Sequence, residues 1–237
     1  MQWDSITLEQ YFIIKELLPN QNYKELLQRV LNKSYNDTLA AVVFTHEFAF
    51  IQNPPEAAFV DNLPMLSTFD GFEIDPNNLT LAQFTDYCNV IRREDLSMDD
   101  KMTCCLALVL TKKDQHYLEG YSFEEAITAA KKLPFLQALK IYNALIDNVK
   151  RTMQSFPLIF GDPDFEGAAP EGPAGGASLE AYGILPFIME VCHITNETYT
   201  NLMRWPVSQV LYLASYAVTK NKIKEQQIKA WKSRIHR

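Results

Sequence analysis

The chain has 237 residues, 47% of them hydrophobic and 12% aromatic, with a net charge of −7. That much apolar material builds one good core or two small ones and excludes disorder over most of the length. The net charge hides an asymmetry: Thr219 to Arg237 holds seven Lys/Arg against Glu225 alone, a tail of +6, which leaves 15 bases against 28 acids, or −13, on the remainder.

Thr7 followed by Gln10 is a capping box, in which each side chain satisfies the other residue's amide at a helix start. Leu8, Tyr11, Ile14 and Leu18 form the helical stripe behind it, and Tyr23, Leu26, Leu27, Val30 and Leu31 form a second after the Pro19-Asn20 break. The two stripes predict an antiparallel helix pair. From Leu39 to Ile51 the residues are apolar almost all round, which predicts a buried helix ended by Asn53-Pro54-Pro55. His46-Glu47 within it opens like a zinc-protease helix, but the place of the second histidine is held by Phe50. His46 is therefore expected as a hydrogen-bonded core residue.

Polar, proline-rich sequence runs on to Leu79, with Asp70-Gly71 between Thr68-Phe69 and Phe72-Glu73-Ile74 able to close a short hairpin. A second helical block is predicted over 79–91, 98–111, 122–132 and a long helix from Pro134, with capping boxes at Thr80/Gln83 and Ser122/Glu125. Thr80-Leu81-Ala82-Gln83-Phe84 echoes Thr7-Leu8-Glu9-Gln10-Tyr11, through either a duplicated unit or two independent uses of one good helix start. The second is preferred, because the likeness fades within a turn. Phe135, Leu139, Tyr142, Ile146, Val149, Met153 and Phe156 then recur at strict 4-3 spacing, flanked by Ala138, Ile141 and Leu145. A stripe that broad favours an intramolecular seam over a coiled-coil face for another subunit.

Between residues 161 and 177 lie five of the eight glycines and three of the twelve prolines, the clearest linker in the chain. Asp162-Pro163-Asp164-Phe165-Glu166-Gly167 opens like a calcium loop, but Pro173 stands where a bidentate Glu is needed, so an acidic linker is preferred. Helices are predicted over 178–193, 196–205 and 206–234. The organisation expected is a helical body (1–160), a Gly/Pro-rich linker (161–177) and a C-terminal helical segment with a basic tail (178–237). The fold class is mainly α: a helical bundle with an irregular middle segment and room for one hairpin.

Chemistry is much less legible. The four histidines (46, 116, 193, 236) make no ligand pair, the four cysteines (88, 104, 105, 192) fit no zinc pattern, and no nucleophile elbow or phosphate-cradling glycine loop occurs. Cys192 beside His193 is not dismissed by spacing alone, but a catalytic couple needs spatial opposition and an orienting third group, and sequence neighbours on a helix usually diverge, so catalysis there is disfavoured. No catalytic residue, metal or cofactor is expected. The N-terminus lacks signal-peptide features and no apolar run is long enough for a membrane span, so a reducing cytoplasm is the expected compartment, without membrane contact. In the tail, Ile223, Ile228, Trp231 and Ile235 lie among the lysines; a docking element is preferred to a plain solvated face. Nucleic acid is disfavoured, since the acidic body repels phosphates. The candidate partner-binding residues are Trp205, Lys222, Lys229, Trp231, Lys232 and Arg234, with Trp231 as the aromatic anchor.

Three segments carry a family resemblance: Trp3-Asp4-Ser5-Ile6-Thr7-Leu8-Glu9-Gln10-Tyr11, then Phe72-Glu73-Ile74-Asp75 leading into Leu79-Thr80-Leu81-Ala82-Gln83-Phe84, and Trp205-Pro206-Val207-Ser208-Gln209-Val210-Leu211. Together they resemble tailed-phage structural and assembly proteins, including neck or ring components of crAss-like phages and helical tail assembly chaperones. The resemblance implies a virion subunit at the head-tail junction or in the tail, forming a homo-oligomer and touching portal, neck or tail subunits. A non-virion tail assembly chaperone is the alternative it leaves open, and an unrecognised enzyme is the alternative from another class. The implied location is the virion, with the host cytoplasm during assembly.

Overall fold

The computed structural model describes residues 2–113, 115–161 and 184–235, and these are predominantly helical. The α-helices are α1 (Leu8–Leu17), α2 (Tyr23–Leu31), α3 (Asp37–Glu47), α4 (Ala57–Asn62), α5 (Leu81–Arg92), α6 (Met98–Leu108), α7 (Phe123–Lys132), α8 (Phe135–Ser155), α9 (Pro157–Phe160), α10 (Leu185–Thr195), α11 (Tyr199–Leu202) and α12 (Val207–Ile235). One small antiparallel sheet has the order β1 (Thr68–Phe69), β2 (Phe72–Ile74), β3 (Leu110–Lys112). The chain divides into two compact units, Met1–Asn77 with Asp86–Ile146 and Asn78–Thr85 with Asp147–Arg237.

In the first unit α1, α2 and α3 pack in sequence, and α7 packs on both α6 and α1. Leu8, Leu26, Leu27, Leu106, Ala126, Leu133 and Ile141 are fully buried there. A run of rings threads the same core: Tyr23 stacks on Phe44 at 4.4 Å, Phe44 on Phe48 at 5.1 Å, and Phe135 on Tyr11 at 4.0 Å. Trp3 sits edge-on to Phe50 at 5.0 Å and donates its indole N–H to the Asn53 carbonyl at 2.7 Å, which satisfies its one polar group.

The hairpin forms at the residues that the turn chemistry indicates. Asp70 and Gly71 have φ of 50° and 81°, the two positive values of a type I′ turn, and Phe69 faces Phe72. The third strand differs from expectation, because the helix predicted to reach residue 111 stops at Leu108. Leu110 pairs with Ile74 and is fully buried, so a place in the sheet wins over another helical turn. The helix predicted from Leu39 to Ile51 is also corrected. It runs over α3, breaks, and continues as a 3-10 turn at Ala49–Gln52. It is not buried: Val42 is 64% exposed and the His46 side chain 88% exposed, so His46 is a surface residue. Only Ala40 and Phe48 of this stretch reach the core, because the helix lies on the unit's surface and buries one edge.

The two units are closed by the same device. In the first, Thr7 faces Pro134 in an isolated antiparallel bridge, with Leu8 N–H donating to the Leu133 carbonyl at 2.9 Å and Phe135 N–H to the Ile6 carbonyl at 2.8 Å. In the second, Thr80 faces Pro206, with Leu81 N–H donating to Trp205 and Val207 N–H to Leu79, both at 2.9 Å. Thr and Pro occupy the non-hydrogen-bonded pair of each bridge, so neither needs a bridge N–H. Proline has none to offer and is suited to a first helical turn, and each Thr N–H is taken by its capping partner, Gln10 or Gln83, at 2.9 Å. Each clasp thereby starts two helices at once, α1 with α8 and α5 with α12. The echo between the two Thr-Leu-x-Gln segments therefore extends to the segments they pair with.

Helix α8 carries six of the seven stripe residues, Phe156 falling just past its end, and none of the seven is exposed. Its most buried line, however, runs through Ala138, Ile141, Leu145 and Val149, with Leu139, Tyr142, Ile146 and Met153 half-buried beside it. The seam is rotated toward the flanking residues, where small Ala138 allows close approach. At Ser122 only half of the expected box forms: the hydroxyl accepts from Glu125 N–H at 3.3 Å, while the Glu125 carboxylate turns to Lys112 on β3.

In the second unit α12 packs on α10 and α9, with Val207, Val210, Leu211, Ala214 and Ala217 buried. Phe84, fully buried near the start of α5, meets Phe160 of α9 at 5.9 Å. The helix predicted over 196–205 shrinks to the single turn α11, capped by Thr198. Asn196 breaks the chain before it with a left-handed φ of 58°. The calcium-like segment from Asp162, and all of the glycine-rich linker beyond Gly161, lie outside the described residues.

Candidate interaction surface

Helix α12 is 29 residues long, and the unit covers only its first part. Every residue from Thr219 to Trp231 is exposed. At 1.5 Å per residue this leaves about 20 Å of helix standing in solvent. The chain keeps it helical with Lys, Gln, Glu and Ala, all good helix formers, and its lysines suit the negative end of the helix dipole.

Two apolar stripes lie on this helix. Tyr212, Tyr216 and Ile223, 69%, 54% and 50% exposed, recur at 4-7 spacing on the side opposite buried Ala214. Ile228 and Trp231, 52% and 64% exposed, continue the packed side, since Ile228 lies about five turns past Val210 on the same line. The core-facing side of α12 thus outlasts the core. Beside the second stripe, Lys224 and Gln227 join Ile228 and Trp231 in lining a shallow open hollow. The Lys220 ammonium lies 6.0 Å from the Tyr216 ring centroid, a cation placed over an aromatic face. Among the described residues none of Lys222, Lys224 and Lys229 makes an ion pair. The surface offers unpaired positive charge beside large apolar side chains, a combination suited to an acidic protein surface with hydrophobic gaps.

Lys222, Lys229 and Trp231 share this helix end, whereas the side chains of Lys232 and Arg234 lie outside the described residues. Trp205 is placed elsewhere. It is half-buried, its carbonyl is held in the second clasp, and Lys222 lies about 25 Å further along the helix at 1.5 Å per residue. Sequence reasoning misses Tyr212 and Tyr216, although their i, i+4 spacing opposite a predicted apolar face is the available signal.

Elsewhere the reactive groups are held quiet. Burial raises the thiols of Cys88 and Cys104 and pushes Cys105 up to about 12, which keeps them protonated. Cys192 is half-buried and His193 exposed, so the adjacent pair points to different surroundings on α10. Among the described residues no three His, Cys, Asp or Glu side chains are grouped to hold a metal ion, and no helix is long and apolar enough to cross a membrane. Tyr117 donates to Asp86 at 2.8 Å and Tyr121 to the Ala107 carbonyl, a half-buried pair that locks the loop before α7 onto α5 and α6. No protein-family model, curated protein or solved structure matches the chain.

Proposed function

We propose that this chain is a structural subunit of a tailed-phage virion, placed at the head-tail junction in a neck or ring, or in the tail, and working through protein-protein contacts rather than turnover. The observation that carries this reading is the exposed second half of α12, a basic helix with apolar stripes that the chain's own fold does not use. Its partners are other virion proteins, portal, neck or tail subunits, together with further copies of itself. The resemblance to neck, ring and tail assembly proteins adds support of a limited kind, because its segments supply three of the four clasp strands and so concern the scaffold rather than a site. No catalytic residue, metal or cofactor has a part in this reading.

Mass spectrometry of gradient-purified particles, set beside the infected-cell lysate, tests it. The chain is expected in particles at a stoichiometry matching a ring or stack. Presence in the lysate with absence from particles overturns the virion role in favour of a tail assembly chaperone.

A further inference from the structure

We infer that the exposed end of α12 docks on the acidic first unit of a second copy of this chain, in a head-to-tail contact that repeats from copy to copy. The inference rests on the reading of the chain as an assembly subunit and names the first partner of its contact surface. Charge selects the occupant. The tail carries +6, so two tails repel each other, and a tail-to-tail coiled coil would set the lysines of one helix against those of the other. The first unit carries twenty Asp/Glu against twelve Lys/Arg, the opposite sign and the larger share of the body's negative charge.

The apolar side chains then provide what charge alone does not. Trp231 and Ile228 flank Lys224 on one side of the helix, and Tyr216 and Ile223 flank Lys220 on another, so each cation that meets a carboxylate brings a large hydrophobe to cover the contact. The donor surface (α12) and the acceptor surface (the first unit) are different patches, which makes the contact heterologous. A contact of that kind propagates into a closed ring or an open stack rather than stopping at two copies.

The test uses the full chain in mass photometry and sedimentation velocity, at about 0.05 M and about 0.5 M salt, since screening shortens from roughly 14 Å to 4 Å across that range. Species larger than a dimer are expected at low salt, with association weakened about tenfold or more at high salt. The triple variant Lys222→Glu, Lys224→Glu, Lys229→Glu is expected to stay monomeric alone. Added to the unmodified chain, it shortens the assemblies, because its first unit still accepts a tail while its own tail no longer donates. Trp231→Ala is expected to weaken association with unchanged helicity, and the triple Lys→Gln variant serves the same purpose if charge reversal disturbs folding.

A chain that is monomeric at low salt, a salt-insensitive dimer, or a triple variant that assembles like the unmodified chain overturns the inference. Binding of a DNA duplex or an anionic vesicle by a protein that stays monomeric overturns it as well. A chain that is monomeric alone yet present in purified particles removes the head-to-tail contact and leaves the virion role standing. Salt-sensitive assembly of a chain absent from particles does the reverse.

Discussion

Helices α8 and α12 both begin at a proline held in a clasp, yet no residue of the α8 stripe from Phe135 to Met153 is exposed, whereas every residue of α12 from Thr219 to Trp231 is. The difference arises past the first turns. On α8 apolar residues recur at 4-3 spacing to the helix end, so burial continues to hold it. Among the described residues of α12 the last buried one is Ala217, after which lysines alternate with single hydrophobes and tertiary packing gives way to intrinsic helix preference. The fold uses α8 whole and α12 by half. The proposed contact surface lies on the unused half, and substitutions there are expected to leave stability alone.

The clasps give the strongest test of that contrast. Leu8 and Leu81 are each 0% exposed at equivalent bridge positions, so Leu8→Ala and Leu81→Ala are each expected to cost about 3 kcal/mol in urea unfolding. Costs differing by more than about 2 kcal/mol would mean that the two clasps are alike in geometry and unequal in load. Next in size is the half-buried tyrosine group of the first unit. Burial raises Tyr87 to about 12, and Tyr117, Tyr121 and Tyr142 are also raised, Tyr117 further by its bond to Asp86. A folded pKa above the unfolded value of about 10 favours the protonated folded state, so this contribution is intact below pH 10 and falls as pH climbs beyond it. Absorbance at 295 nm should show these tyrosines ionising together with loss of helicity, and Tyr117→Phe should make that step shallower.

Smaller effects are expected at the caps. Thr7→Ala and Thr80→Ala each remove one side of a reciprocal box and should cost about 1 kcal/mol, measured by thermal melting. The smallest effect belongs to Trp231→Ala. With the side chain 64% exposed, a change of less than about 0.5 kcal/mol is expected, and a larger loss would mean that the end of α12 serves the fold after all.

The scaffold is readable wherever local chemistry decides the outcome. Thr7 with Gln10, Asp70-Gly71 and the α8 stripe each specify their structure within a few residues, and each forms. Readability fails where a distant partner decides. Leu110 joins the sheet because Ile74 lies across from it, and the stretch around Val42 and His46 reads as core but lies at the surface. Periodicity shows that a face exists without showing what meets it. The same limit applies to the candidate surface. Trp231 and its lysines stand out by composition, whereas Tyr212 and Tyr216 become visible only once the opposite side of α12 is seen to be packed.

Each clasp joins strands roughly 125 residues apart in sequence, which makes closure a late event in the life of the chain. At translation rates of about 5 to 20 residues per second, the segment around Leu8 waits roughly 6 to 25 seconds for Phe135 to be synthesised. Leu81 waits equally long for Val207. Through that interval the two helix starts that carry Leu8 and Leu81, both destined for full burial, are without their strand partners. Crowding on a polysome would then set neighbouring nascent chains in competition for the same backbone bridges, and the risk of swapped pairings is written into the order in which the ribosome delivers the strands.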